Sequence, residues 1–138
     1  MDKRKHGVFV DTSGFKAIID PRDEFHEKAV GKWMDLEKRE LGLITSNYVL
    51  DECYTLIRVR CGLEVIKEFR DLMADSGNDI KVVRITLPDE LNAWSWFEKD
   101  WSHLSFTDCV SFALMKRLRL TEFFGFDNHF KRAGFKAV

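Results

Sequence analysis

The stretch GVFVDTSGF, residues 7–15, decides how the rest of the chain is read. Val8-Phe9-Val10 is a short apolar run of the kind that fills a strand buried on both faces. It stops at Asp11, and Thr12-Ser13-Gly14 follow, where a helix can begin. A strand aimed at the core that delivers a carboxylate at its tip needs a reason. Taken alone, Asp11 has a structural one, since Asp accepts hydrogen bonds from the first-turn amides of a helix. Other acids reaching the same place would change that.

The chain has 138 residues and 45% hydrophobic content, with 12 Phe and 4 Trp. This length suits a single domain over 1–138 with a sizeable core, and the composition excludes disorder. Lys and Arg number 22 against 23 Asp and Glu, a net charge of -1. No global field therefore attracts nucleic acid, and any such binding needs a local patch. Cys53, Cys61 and Cys109 form no CxxC pair and read as reduced core thiols of a cytoplasmic protein. After the charged start MDKRKHG the apolar run is only three residues long. That is too short for a signal peptide or a membrane span.

Outward from the opening stretch, apolar strand candidates lie at 7–10, 43–45, 80–85 and 122–126, with a short one at 135–138. Helical spacing separates them. Within 24–40, Phe25, Ala29, Trp33 and Leu36 recur at steps of three and four, and 48–59, 64–73, 89–97 and 109–118 repeat that spacing. Strands alternating with helices predict an α/β fold with a parallel sheet covered on both faces.

Three further acids stand out. Glu52, in TSNYVLDECYTLI, lies along the buried stripe of Val49, Cys53, Leu56 and Ile57, while Asp51 falls on the solvent side. A carboxylate there needs a cation, a hydrogen-bond network or a metal, unless its head reaches water. Asp108 closes Ser105-Phe106-Thr107-Asp108, the spacing of a capping box at the start of an apolar helix. Asp127 follows the apolar run 123–126 and can cap a short helix, with Asn128 shaping the turn or positioning a ligand.

In a parallel sheet the strand C-termini share one edge, where ligands collect at the topological switch point. Asp11 and Asp127 follow strand ends, and Glu52 and Asp108 lie near helix starts that point to that edge. Four converging carboxylates repel one another unless a hard divalent cation is bound, and Mg²⁺ or Mn²⁺ suits an all-oxygen site. There is no HExxH, Walker loop or GxSxG. An acid-only cluster fits metal-assisted attack of water on a phosphodiester.

With these acids in place, VFVDTSGF, TSNYVLDECYTLI, LSFTDCVSFALMKRL and FFGFDNHFKRAGF together resemble the PIN domain family, specifically its short VapC-type toxins, over essentially the whole chain. The resemblance implies a three-layer α/β/α sandwich and a metal-dependent endoribonuclease. It implies a metal site surrounded by Asp11, Glu52, Asp108 and Asp127 and shaped by Thr12 and Ser13. Of these acids we read Asp11 and Asp108 as the principal ligands and Glu52 as a ligand or as acting through bound water, with Asp127 the last to be assigned and Thr107 and Asn128 in support. It also implies homodimerisation, an RNA substrate and, for a toxin, a small antitoxin partner. Members often carry Thr two residues before the last acid, where this chain has Gly125.

Between 116 and 138, Lys116, Arg117, Arg119, Lys131, Arg132 and Lys136 stand against Glu122 and Asp127. They can track an RNA backbone, although a solvated helix face is the commoner explanation. Trp94, Trp96 and Trp101 crowd one region, and because Trp94 and Trp96 cannot share one helix face, at least one of them can be exposed and serve a dimer or partner surface. Ordinary packing explains them too. His6, His26, His103 and His129 have no paired spacing and no assigned role, and His26 and His103 read as surface residues. Other readings are a housekeeping RNA-processing nuclease, a non-catalytic binding module, and a phosphatase with a phosphorylated strand-end aspartate. Phosphatase chemistry often wants a second acid two residues on, where this chain has Ser13.

Overall fold

Val8, Phe9 and Val10 form β1 (Val8–Val10), and all three are fully buried. In the computed structural model, which describes residues 7–75 and 80–138, β1 is the middle strand of a five-stranded sheet. The chain then runs through α1 (Thr12–Ile19), α2 (His26–Lys38), β2 (Leu43–Ser46), α3 (Asn47–Cys61) and α4 (Leu63–Ala74). It continues through β3 (Ile80–Val83), α5 (Leu87–Phe97), α6 (Phe106–Arg117), β4 (Glu122–Phe124), α7 (Asn128–Arg132) and β5 (Lys136–Ala137). The strand order is β3-β2-β1-β4-β5 and every pairing is parallel. Helices cover the sheet, and the architecture is the expected α/β/α sandwich.

The order places the switch point beside β1. The chain leaves β1 for β2 and β3 on one side, then crosses to β4 and β5 on the other. Phe9 pairs with Ile44 and with Phe123, and Val10 with Phe124, so the tips of β1 and β4 lie side by side. The core between sheet and helices is largely aromatic. Phe130 packs against Phe9, Phe112 and Phe123, and Phe15 meets Phe69 edge-on. All six of these rings are fully buried, and each contributes ~2 kcal/mol or more on leaving water.

Every strand and helix expected from the pattern is present, and the differences lie at the ends. The pattern starts three helices at residues 48, 89 and 109, whereas they begin at Asn47, Leu87 and Phe106. In each case a hydroxyl sets the start. Ser46, Thr86 and Ser105 accept the amides of Val49, Asp89 and Asp108. At β4 the strand stops at Phe124 rather than at 126, because the Phe126 amide turns away to donate to Ser13 Oγ at 2.8 Å. At β3 it stops at Val83 rather than at 85, and the Ile85 amide donates to Asn47 Oδ1. All three cysteines are free thiols. Among the described residues no helix is long and apolar enough to cross a membrane.

Candidate active site

Asp11 leaves the tip of β1 with its carboxylate turned toward the tip of β4. Its Oδ1 accepts from the Gly14 amide at 2.9 Å and from Ser13 Oγ at 2.8 Å, so it is also the N-cap of α1. Ser13 in turn accepts from the Phe126 amide, which ties the loop after β4 to the loop after β1. The neighbouring glycine explains the family departure noted above. A Cβ at Gly125 would lie 2.1 Å from Asp11 Oδ1 and 2.5 Å from its Cγ. Only glycine leaves room for the Asp11 carboxyl in this position.

Asp108 is the third residue of α6, in the capping box read from the sequence. Its amide donates to Ser105 Oγ at 3.0 Å, and its Oδ2 lies 3.5 Å from the Ser105 amide. Asp127 caps α7 by accepting from the His129 amide at 2.9 Å. Glu52 lies on the partly buried side of α3 and, alone of the four acids, makes no hydrogen bond within the described residues. All four line one cleft of about 270 Å³, together with Thr12, Ser13, Lys16, Phe25 and Phe126. The structure thus brings together the acids that the sequence placed at one sheet edge.

Not every expected residue is there. Asn128, the first residue of α7, is exposed and does not line the cleft. Thr107 lines an adjoining groove that it shares with Glu52, not the cleft itself. His26 is half-buried, with Nδ1 2.7 Å from the Ala17 carbonyl oxygen, so it is less of a surface residue than its surroundings in sequence imply. The basic residues near the C-terminus do not form one free track. Arg117 is paired with Asp89, and Arg132 lies over the Trp101 ring. Trp94 is exposed on α5 whereas Trp96 packs against Phe112. His6 lies outside the described residues.

Two charged or titratable residues at the acids, one lining the cleft and one beside it, had no role assigned from the sequence. Lys16 lines the wall but is occupied by Asp23 at 2.9 Å and Asp20 at 3.1 Å, so its charge is already balanced. His129 sits beside two of the acids, with Nδ1 3.1 Å from Asp127 Oδ1 and 3.4 Å from Asp108 Oδ2. Nothing in its sequence spacing marks it beyond its place two residues after Asp127.

The electrostatics follow from burial and like charge. Burial pushes the Asp11 carboxyl up to about 7, with further increments from Asp127 and Glu52, against the opposing hydrogen bonds of Gly14 and Ser13. Burial also pushes Asp108 up to about 8, helped by Asp127, Asp11 and Glu52. Without a counter-charge this cleft holds protons at neutral pH. A divalent cation fits it: the donors are carboxylate oxygens, and the one buried polar side-chain atom without a partner among the described residues, His129 Nδ1, faces two of them.

Known proteins resemble this chain in sequence and in fold. Residues 8–136 match the PIN domain family. The 23S rRNA-specific endonuclease VapC20 of Mycobacterium tuberculosis is 32% identical over 132 residues, which are 95% of this chain and 97% of that protein. The crystal structure of M. tuberculosis VapC20, described as a Sarcin-Ricin loop cleaving toxin, aligns with a TM-score of 0.82 at 31% identity, over 94% of this chain and 96% of that one. FitAcB from Neisseria gonorrhoeae shares the fold, with a TM-score of 0.63 at 15% identity over 94% of this chain and 95% of that one.

Proposed function

The chain belongs to the PIN domain family, and from that premise we propose that it is a metal-dependent endoribonuclease, the toxin of a toxin–antitoxin pair. The observation that carries this reading is the convergence of Asp11, Glu52, Asp108 and Asp127 on one cleft at the switch point. The activity of its relative in M. tuberculosis, similar over nearly the whole length, makes ribosomal RNA the first substrate to test.

Asp11 and Asp108 are the principal holders of the cation, Mg²⁺ or Mn²⁺, with Asp127 beside them. When bound, the cation lowers the pKa of a water and offsets the negative charge that develops on the phosphate. The residues supply the rest. Ser13 and the Gly14 amide hold Asp11 in one orientation, and Gly125 leaves space for it. Glu52 has no capping duty, so its carboxylate is free to orient the attacking water and accept its proton. Lys16, held by Asp20 and Asp23, closes one wall of the cleft without competing for the phosphate.

Partners follow from surface chemistry. The acids would accept a guanidinium bidentately, so an antitoxin segment bearing Arg can block the cleft. Leu87, Leu91 and Trp94 are exposed along one face of α5 and offer an apolar surface to a second copy of the chain. A nuclease acting on cellular RNA, with free thiols, works in the cytoplasm. The test is incubation of the purified protein with ribosomal RNA and with a phosphomonoester, with Mg²⁺, Mn²⁺ or chelator. RNA cleavage that requires the cation is the expected result. Equal cleavage in chelator sinks the metal-dependent reading, and turnover of the phosphomonoester alone transfers the site to phosphatase chemistry.

A further inference from the structure

His129 is fixed on more than one side before any ligand is considered. Its Nε2 lies 2.8 Å from the Ser102 carbonyl oxygen. A carbonyl oxygen only accepts, so Nε2 carries a proton and Nδ1 of the neutral ring presents a lone pair. The ring stacks on Trp101, with centroids 6.3 Å apart and planes 13° from parallel. Trp101 is covered in turn by the Arg132 guanidinium at 4.5 Å. The loop after α5 and the end of α7 thereby clamp the imidazole.

So held, Nδ1 stands within 3.4 Å of carboxylate oxygens of both Asp108 and Asp127, yet is aligned for a hydrogen bond with neither. A buried nitrogen without a partner is costly unless something else uses it. Ligand atoms of Asp108, Asp127 and His129 all lie within 4.8 Å of one another. The 3.1 and 3.4 Å separations suit adjacent donors around one ion, which at ~2.1 Å from each donor stand roughly 3 Å apart. An imidazole whose outer N–H is tied to a backbone carbonyl, leaving the inner nitrogen bare, is how proteins orient a ligating histidine.

We propose that His129 Nδ1 is a nitrogen ligand, beside Asp108 and Asp127, of the cation that the cleft acids hold, and that the cleft therefore prefers Mn²⁺ to Mg²⁺. The preference follows because Mg²⁺ favours oxygen donors, whereas imidazole adds affinity for first-row transition ions. This rests on the cation reading of the cleft, and the experiment separates the two.

Untagged full-length protein is loaded with Mn²⁺ and studied by pulsed electron paramagnetic resonance, which detects nitrogen coordinated directly to manganese. Calorimetric titrations with Mn²⁺ and Mg²⁺ accompany it. Wild type is expected to show nitrogen coupling and tighter binding of Mn²⁺. His129→Gln is expected to lose the coupling and about tenfold or more in Mn²⁺ affinity, while Mg²⁺ affinity moves far less. Bound Mn²⁺ with no nitrogen coupling in wild type overturns the proposal, makes His129 a counter-ion of the acids, and leaves the cation reading standing. Coupling that survives in His129→Gln overturns it equally. Absence of any Mn²⁺ binding to wild type removes the cation reading and this proposal together. Should His129→Gln fail to fold, the wild-type spectrum and its ratio of Mn²⁺ to Mg²⁺ affinity decide, and a ratio near unity counts against the proposal.

Discussion

Thr86-Leu87-Pro88-Asp89 at the start of α5 and Ser105-Phe106-Thr107-Asp108 at the start of α6 are the same device. In each, a hydroxyl accepts the amide of the third helical residue, whose carboxylate faces the capping residue's amide. Both acids are buried, with Asp89 1% and Asp108 9% exposed. What faces them differs. Asp89 receives Arg117 through two bonds of 2.8 Å. Burial works to raise its pKa, but the guanidinium and Thr86 outweigh it and hold the carboxyl below its ordinary value. Asp108 faces three other acids, and burial and their charge push it up to about 8. Local sequence builds the cap in both places, and the tertiary neighbour decides whether the carboxyl is held below or pushed above its ordinary pKa.

The largest difference is expected in turnover. If Asp108 holds the cation as proposed, Asp108→Asn should lower RNA cleavage by orders of magnitude. Asp89→Asn should leave cleavage by the folded protein near wild type. Initial rates on one RNA substrate measure both, and an equal loss in the two variants would erase the distinction between brace and site.

Stability should reverse that ranking. Asp89→Asn removes the partner of Arg117 and is expected to cost about 2–4 kcal/mol. Asp108→Asn in chelator sacrifices at most about 1 kcal/mol of capping and removes a carboxyl whose ionisation burial and the neighbouring acids disfavour. Urea denaturation of the metal-free proteins should therefore show a clear loss for the first and little change, or a gain, for the second. The comparison breaks if Asp108→Asn is the more damaging of the two.

A smaller effect lies in the pH dependence. In the unfolded chain Asp11 and Asp108 lose their protons near the ordinary carboxylate value of 3.8, whereas the folded metal-free protein holds them up to about 7 and about 8. Between those limits the folded state binds more protons than the unfolded state, so stability falls as pH rises. The contribution is fully present below the unfolded value and gone above the folded ones. Asp89 has the opposite sign, since its depressed pKa gives stability that is lost as pH falls. Denaturant midpoints in chelator should decline from about pH 5 to about pH 8.5 for wild type and for Asp89→Asn. The Asp11→Asn/Asp108→Asn double variant should flatten that decline, and an undiminished slope would contradict the assignment.

Much of this was legible in the residues. The run Val8-Phe9-Val10 is apolar on both faces because β1 is central, and alternation with helical spacing leaves a parallel sheet as the economical fold. The four acids could be placed together because strand ends and helix starts share one edge of such a sheet. Element boundaries were less legible, since a hydroxyl such as Ser105 or Thr86 decides them and hydrophobic periodicity does not register it. The Asp89–Arg117 pair joins residues 28 apart and had no local signature. His129 was missed for the same reason. Its meaning comes from Ser102, Trp101 and Asp108, which only the fold brings to it. Gly125 looked like a departure in sequence, and became intelligible once the Asp11 carboxyl was found where its Cβ would be.

The central claim is that Asp108 belongs to a cation site, whereas Asp89, in the same motif, does not. Thermal melts of wild type, Asp89→Asn and Asp108→Asn, each freed of metal and then given Mn²⁺, test it most directly. Ligand binding to the folded state alone raises stability by RT ln(1 + [L]/Kd), so a protein that keeps its site keeps its shift. Wild type and Asp89→Asn should rise by the same increment from different starting points, and Asp108→Asn should rise little or not at all. An Asp108→Asn protein that is destabilised in chelator yet shows the full Mn²⁺ shift would return Asp108 to the role of a capping residue and contradict the account.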